Sequence, residues 1–247
     1  TNAYDRSAYQ NSSLGEGFYQ NTQTELQGQL NYTNRFGKHG VSALVLLLQQ
    51  ERPQNQFDAS RSGYEFSLFD VLSQGPATNA AGVITETIGG SKDRFALRSA
   101  AARINYDFDN KYLFQASLRR DQSENFAPNV RTGYFPAFSA GWVISSENFM
   151  AGTERYLDYL KVKGSWGKLG NDQLPGSRFY YLTSYNTVAN NYAFGGAIVP
   201  GLNPNAYNPL VEWETSTKTD IGIEARFMDG LIGFEADYFM EDRDGIL

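Results

Sequence analysis

Apolar and polar residues alternate one by one through segment after segment of this chain, which is the period of β-strands with two unlike faces. In 112–121, Tyr112, Phe114, Ala116 and Leu118 share a face opposite Leu113, Gln115, Ser117, Arg119 and Asp121. In 97–108, Ala100, Ala102, Ile104, Tyr106 and Phe108 oppose Ser99, Arg103, Asn105 and Asp107. In 215–227, Ile221, Ile223, Ala225 and Phe227 oppose Lys218, Asp220, Gly222, Glu224 and Arg226, and 231–240 sets Ile232, Phe234, Ala236, Tyr238 and Met240 against Gly233, Glu235 and Asp237. Segment 24–36 repeats the pattern with Leu26, Leu30, Tyr32 and Phe36. The pattern predicts an all-β, antiparallel fold of roughly eight strands. One segment departs from it: in 41–50, Leu44 to Leu48 are apolar on both faces. A plug inside a barrel or the second sheet of a sandwich would each cover that second face.

The connections have two lengths. Gly37-Lys38-His39-Gly40, Asp109-Asn110 and Met228-Asp229-Gly230 read as tight turns. Much longer connections are expected over 52–92 and 171–211. Short turns at one end of the strands and long loops at the other are the arrangement of outer-membrane barrels, whose turns are periplasmic and whose loops are extracellular. A medium connection at 146–158 is expected to hold a turn of helix with Glu147, Phe149, Met150, Tyr156 and Leu157, capped by Ser145 or Ser146. Tyr106, Phe108, Tyr112 and Phe114 gather about one turn, and Tyr134, Phe135, Phe138 and Trp142 line another strand. Rings at headgroup depth or ordinary sheet packing would both place them so.

Composition narrows the picture further. Aromatics make up 15% of the 247 residues, glycine occurs 24 times, and mean hydropathy is -0.47. This is a polar chain rich in rings. It has no cysteine, which excludes disulfides and thiolate metal sites. A net charge of -6 argues against nucleic-acid binding. The longest apolar run, 43–48, is far short of the roughly 20 residues of a membrane-spanning helix.

Ordered blocks of residues then carry a resemblance. Arg103-Ile104-Asn105-Tyr106-Asp107-Phe108-Asp109-Asn110-Lys111-Tyr112 is followed by Phe126-Ala127-Pro128-Asn129 and by Gly133-Tyr134-Phe135-Pro136-Ala137-Phe138. Leu157-Asp158-Tyr159-Leu160-Lys161-Val162-Lys163-Gly164-Ser165-Trp166-Gly167, Asn208-Pro209 and Trp213-Glu214-Thr215 come next, and Leu30-Asn31-Tyr32 with Phe36-Gly37-Lys38-His39 lies upstream. In this succession the chain resembles the barrel of SusC/RagA-type TonB-dependent outer-membrane transporters, more weakly in 1–20, 60–92 and 172–206. The resemblance implies that 1–247 is part of one transmembrane barrel domain of about 22 strands, in the bacterial outer membrane. The family's plug and TonB-contacting segment are not recognised in it. It further implies import of glycans or peptides energised by TonB through that missing part, under a SusD-like surface lipoprotein acting as a lid. The bilayer and the barrel-assembly machinery would be further partners. A surface carbohydrate-binding sandwich or adhesin and a passive porin are the alternatives.

Candidate chemistry is sparse, and neither a catalytic role nor a cofactor is expected. His39, the single histidine, stands in a predicted turn without the partners of a triad or zinc site. Glu235/Asp237 and Glu241/Asp244 have the look of carboxylate dyads, but residues two apart on a strand share a face, where lumen polarity accounts for them. Asp107-Phe108-Asp109-Asn110 lacks the remaining positions of a calcium loop. Candidate contacts to substrate or lid are Tyr180, Tyr181, Tyr185, Tyr192 and Phe194 in the 171–211 connection, with Arg119 and Arg120 at a strand end. Those rings could equally hold only the loop's own fold. The candidate membrane belt is Tyr106, Phe108, Tyr112, Phe114, Trp142 and Tyr238.

Overall fold

The structure, a computed structural model, describes residues 13–64, 71–79, 82–153, 155–174, 178–186, 191–194, 197–205 and 207–246, with the side chains of 186, 191–194, 197–200 and 203 outside that description. Nine strands form one antiparallel sheet. They are β1 (Ser13–Asn21), β2 (Thr24–Phe36), β3 (His39–Ser62), β4 (Glu86–Phe108), β5 (Tyr112–Ser123), β6 (Thr132–Val143), β7 (Tyr159–Asn171) and, after four short strands, β12 (Glu214–Phe227) and β13 (Ile232–Asp244). The short ones are β8 (Tyr185–Asn186), β9 (Asn191–Phe194), β10 (Ala197–Pro200) and β11 (Asn203–Pro204), which pair as β8 with β11 and β9 with β10. The all-β reading therefore holds, with one strand more than the pattern counted.

The chain divides into two compact units. The larger comprises Glu25–Gln49 and Ala96–Leu247. In it β4, β5, β6, β7, β12 and β13 pair in sequence, each antiparallel to the next. Two of the predicted turns close hairpins in this meander, β4–β5 and β12–β13, and the third joins β2 to β3. Asp109 and Asn110 take the left-handed conformation (φ 54° and 56°), as a two-residue hairpin loop requires. Gly37 (φ 59°) does the same between β2 and β3. The β12–β13 turn sets Met228 and Asp229 at φ 55°, followed by Gly230 at 80°. Asp158 accepts a hydrogen bond from the Gly230 N–H at 2.7 Å and holds that turn in place.

The smaller unit comprises Thr1–Thr24 and Gln50–Phe95. Here β1 pairs with the second half of β3, from Ser13 opposite Ser62 to Asn21 opposite Gln54. β1 ends where Pro53 follows on β3. Proline has no N–H for the ladder, and its carbonyl accepts one last bond from the Thr22 N–H at 3.2 Å. The Arg52 guanidinium lies 5.1 Å from the centroid of the Phe95 ring, and Arg61 pairs with Glu86 at 2.9 Å.

Two expectations need correction. The 52–92 connection is shorter than predicted, because β3 runs on to Ser62 and β4 starts at Glu86. The added stretches are polar on both faces, so no hydrophobic period marks them as strand. The connection at 146–158 is not the capped helical turn expected: Ile144–Ser146 and Asn148–Met150 are single 3-10 turns that neither Ser145 nor Ser146 caps, and one turn further on the Leu157 N–H donates to the Thr153 carbonyl at 2.9 Å. Val143 and Glu147 occupy the positions before the two turns, and a three-residue turn has too few free N–H groups to reward a serine cap.

The left-handed Met228 carries a cost that asparagine largely avoids. Met228→Asn is expected to stabilise the folded protein by about 1 kcal/mol, read as a higher thermal unfolding temperature in detergent. An unchanged or lower temperature would contradict this account of the turn.

Candidate functional site

Because the strands stay in register, each face of the sheet is made of straight cross-strand rows. Tyr106 faces Phe114, then Ala140, Gly164, Ile221 and Tyr238. The neighbouring row on the same face is Phe108, Tyr112, Trp142, Val162, Ile223 and Ala236. All six candidate belt residues thus fall in two adjacent rows. Two strands, β7 and β12, lie between Trp142 on β6 and Tyr238 on β13, so no property of a single strand gathers them; the register does. The rings touch along the rows: Phe108–Tyr112 centroids are 6.3 Å apart, Tyr112–Trp142 6.4 Å and Tyr106–Phe114 6.4 Å. His39 joins them, 5.0 Å from Phe108 and with its Nδ1 2.8 Å from the Tyr106 hydroxyl.

Further from the turns the same face carries Ile104, Ala116, Phe138, Trp166 and Met240. The apolar stripe of β13 spans nine residues, Ile232 to Met240, the length a tilted strand needs to cross a bilayer's hydrocarbon. Among the described residues nothing covers this face at Ile104, Ile221, Phe234 and Tyr238, which are 50%, 59%, 53% and 68% exposed. On β3 the picture differs by face. Val45 and Leu47 are exposed, whereas Leu44, Leu46 and Leu48 are half-buried.

The opposite face is polar and paired. Lys163 reaches Glu235 at 2.7 Å, Asp237 at 3.0 Å and Glu224 at 3.4 Å, and Lys161 reaches Glu224 at 3.2 Å. The bare Gly222 makes room for this crossing, since a Cβ there would collide with the Asp237 carboxylate and lie 2.5 Å from the Lys163 side chain. Further along, Glu241 accepts from Ser216 at 2.8 Å and Arg243 at 2.7 Å, with Lys218 at 3.5 Å. The Glu235/Asp237 dyad is therefore a counter-ion set for one lysine. The sequence held a signal for it: Lys161 and Lys163, two apart, had to share the face of Glu224.

At the turn end, ion pairs lace one hairpin to the next. Arg35 binds Asp107 at 2.8 Å and Lys38 binds Asp109 at 2.7 Å. The Lys38 hydrogen bond holds the Asp109 carboxyl below its usual range. These contacts account for Asp107 and Asp109 without an ion. Among the described residues no group of three or more His, Cys, Asp or Glu could hold a metal. Glu147 collects donors from the ring rows: the Tyr112 hydroxyl at 2.6 Å, the Trp142 indole N–H at 3.1 Å and Lys111 at 3.3 Å. The Tyr112 bond, then the Trp142 bond, lowers the Glu147 pKa.

At the loop end, Arg119 and Arg120 are consecutive on β5 and point to opposite faces of the sheet. Arg119 Nε binds both Asp121 carboxylate oxygens at 2.9 and 2.8 Å; Arg120 faces Tyr134 across the ladder. Among the described residues the most fully buried side chains, Phe126, Val211 and Ser123, lie at this end. Trp213 packs on Phe126 at 5.0 Å and on Phe135 at 5.2 Å, and donates to the Arg131 carbonyl at 3.3 Å. Phe135 is thus a core ring, apart from the exposed Tyr134, Phe138 and Trp142 with which its sequence position groups it. Of the candidate contact rings, Tyr185 is exposed, while Tyr180 and Tyr181 are half-buried and Tyr181 packs edge-on against Phe179 at 6.1 Å. Tyr192 and Phe194 have their backbone in β9, and their side chains lie outside the described residues.

A carboxylate with a depressed pKa stabilises the fold above its unfolded pKa and loses that effect as pH falls through the folded value. Glu147→Gln is therefore expected to lower the unfolding temperature at neutral pH. The gap to the wild type should close as pH falls below about 4.3, the ordinary glutamate value. A gap that persists unchanged at lower pH would contradict a role for the charge.

The whole chain, residues 1–247, matches the TonB dependent receptor-like, beta-barrel family. It is 34% identical over 158 residues to the TonB-dependent receptor SusC of Bacteroides thetaiotaomicron, covering 62% of this chain and 15% of SusC. It is 30% identical to the TonB-dependent receptor P39 of Formosa agariphila, covering 88% of this chain and 20% of that protein. A solved structure of the RagAB peptide transporter superposes with a TM-score of 0.78 at 23% identity, over 93% of this chain and 24% of that one. At that identity the likeness is one of fold. The chain spans about a fifth or less of the curated relatives named here. It belongs to the TonB-dependent receptor-like β-barrel family, as a barrel segment of the SusC/RagA type.

Proposed function

We propose that this chain is wall and outer loop of an active importer in the bacterial outer membrane, energised through TonB by a part of the protein that lies outside these residues. The observation that carries this reading is the contrast between the two faces. One is an uncovered apolar face with two ring-bearing rows next to the short turns; the other is a salt-bridged polar face. A barrel in a bilayer needs that division, with lipid on one side and a hydrated lumen on the other. The six ring residues Tyr106, Phe108, Tyr112, Phe114, Trp142 and Tyr238 serve as its membrane belt. A β-sandwich adhesin would bury Ile104, Ile221 and Phe234 beneath a second sheet, and their exposure counts against it. A passive porin shares the two faces; family membership favours the energised reading.

The cargo is a glycan or a peptide, and a SusD-like surface lipoprotein closes the outer mouth. SusC as a relative and RagAB as a structural neighbour support this reading of cargo and lid. The contact surface is the 171–211 connection, where Tyr185 stands exposed and Tyr180 and Tyr181 are half-buried; of the two strand-end arginines, which face opposite ways, at most one can join it. In the full-length protein, uptake is expected to stop when TonB is deleted. Replacing Tyr180, Tyr181 and Tyr185 together by alanine should reduce uptake or lid retention severalfold while the barrel still folds. Uptake independent of TonB would return the porin reading, and unchanged uptake and retention in the triple variant would remove the tyrosines from the contact surface.

A further inference from the structure

The connection between β7 and β12 is tethered at both ends to one short segment, the turn after β5. At its start, Asp172 accepts a hydrogen bond from the Ser123 hydroxyl at 2.7 Å on its carboxylate and one from the Asn125 side-chain amide at 2.7 Å on its carbonyl. At its finish, the Trp213 ring packs at a tilt against Phe126, and the neighbouring Val211 is 1% exposed. The anchoring segment is itself rigid. The Asn125 N–H donates to the Ser123 hydroxyl at 3.3 Å, and Ser123 N–H to the Arg131 carbonyl at 3.2 Å. In a sheet whose faces are otherwise open, complete burial is concentrated at this point: Phe126 and Ser123 are both 0% exposed. The arms of the connection are closed on each other separately, by Asn205 N–H to the Ser184 carbonyl and Asn208 N–H to the Tyr180 carbonyl, both at 2.7 Å.

We propose that residues 123–126 form a clasp that grips both stems of the 172–213 connection and so positions the loop as one body over the end of the sheet, with Asp172 and Phe126 as its positioning residues. The physical argument is one of independence. The strands of β6, β7 and β12 hold their register through their own ladders, so opening the clasp costs the sheet little. The loop, in contrast, has among the described residues no ladder joining it to the sheet beyond Asn171 opposite Glu214. Its orientation therefore depends on Asp172 at one stem and the Phe126–Trp213 ring contact at the other. That this loop meets cargo or lid rests on the reading proposed above; the clasp itself does not.

The test is hydrogen exchange on the full-length protein in detergent, with heat-modifiable migration as the check on barrel folding. Phe126→Ala and, as a milder change at the other stem, Asp172→Ala are expected to speed exchange of the amides in 178–186 and 203–210 by roughly tenfold or more. Exchange in β6, β7 and β12 should stay as in the wild type. Asp172→Asn, which keeps an acceptor oxygen for Ser123, should restore most of the protection lost in Asp172→Ala. Unchanged loop exchange in Asp172→Ala, or loosening of strands and loop by the same factor, would overturn the clasp. Loss of loop protection with full uptake and lid retention would leave the clasp standing and overturn the contact role of the loop.

Discussion

A backbone amide in hydrocarbon has no water to turn to, so each N–H and C=O must find its partner within the protein. The antiparallel ladder from β4 through β13 answers that constraint. Because its pairing is continuous, it also fixes which side chains share a row. A slip of one residue anywhere would exchange the two faces, moving Lys163 and Glu235 onto the apolar side. The turns serve the same end: left-handed Asp109 and Asn110 and the Asp158 bond to Gly230 N–H hold neighbouring strands in register at the end where the ring rows lie. Among the described residues, the outer edge of β13 pairs with no further strand. In a bilayer that edge requires one, in keeping with a chain that spans about a fifth of its relatives.

The packing departs from that of a water-soluble domain. Large apolar side chains such as Ile221, Phe234 and Tyr238 face outward, and the buried set is small. In the barrel proposed here, lipid takes the place of a core on that side. On the other side, polar residues hold one another by charge, with one lysine between three carboxylates and Gly222 opening the space it crosses. Dense aromatic packing on the inner side is confined to the loop end, around Phe126, Phe135 and Trp213.

Much of this was readable from the sequence because period-two alternation encodes both the strands and their faces. The turns at 37–40, 109–110 and 228–230 carried their own chemistry. The extensions of β3 beyond residue 51 and of β4 before residue 93 were not readable, since strands with water on both sides need no alternation. Nor was the loop-end cluster: Trp213 donates to a carbonyl 82 residues away and Ser123 binds Asp172 across 49, and no local pattern reports such separations. Phe135 was grouped with Tyr134, Phe138 and Trp142 along their strand, but its odd position sets it on the opposite face, and its partner Trp213 lies far away in sequence. The doubled apolar face of 41–50 resolved into exposed Val45 and Leu47 and half-buried Leu44, Leu46 and Leu48.

The central claim is that alternate residues of these strands face lipid and water. The segment has no cysteine of its own, so single cysteines can be introduced along β12 and β13 of the full-length protein and probed in native membranes. The account predicts that Ile221→Cys, Ile223→Cys, Phe234→Cys and Tyr238→Cys react with a lipid-soluble maleimide and resist a charged one. Gly222→Cys, Glu224→Cys, Glu235→Cys and Asp237→Cys should lack that lipid-soluble signature. Equal access of the charged reagent to both sets, with no alternation along the strand, would contradict the barrel assignment and every functional statement built on it.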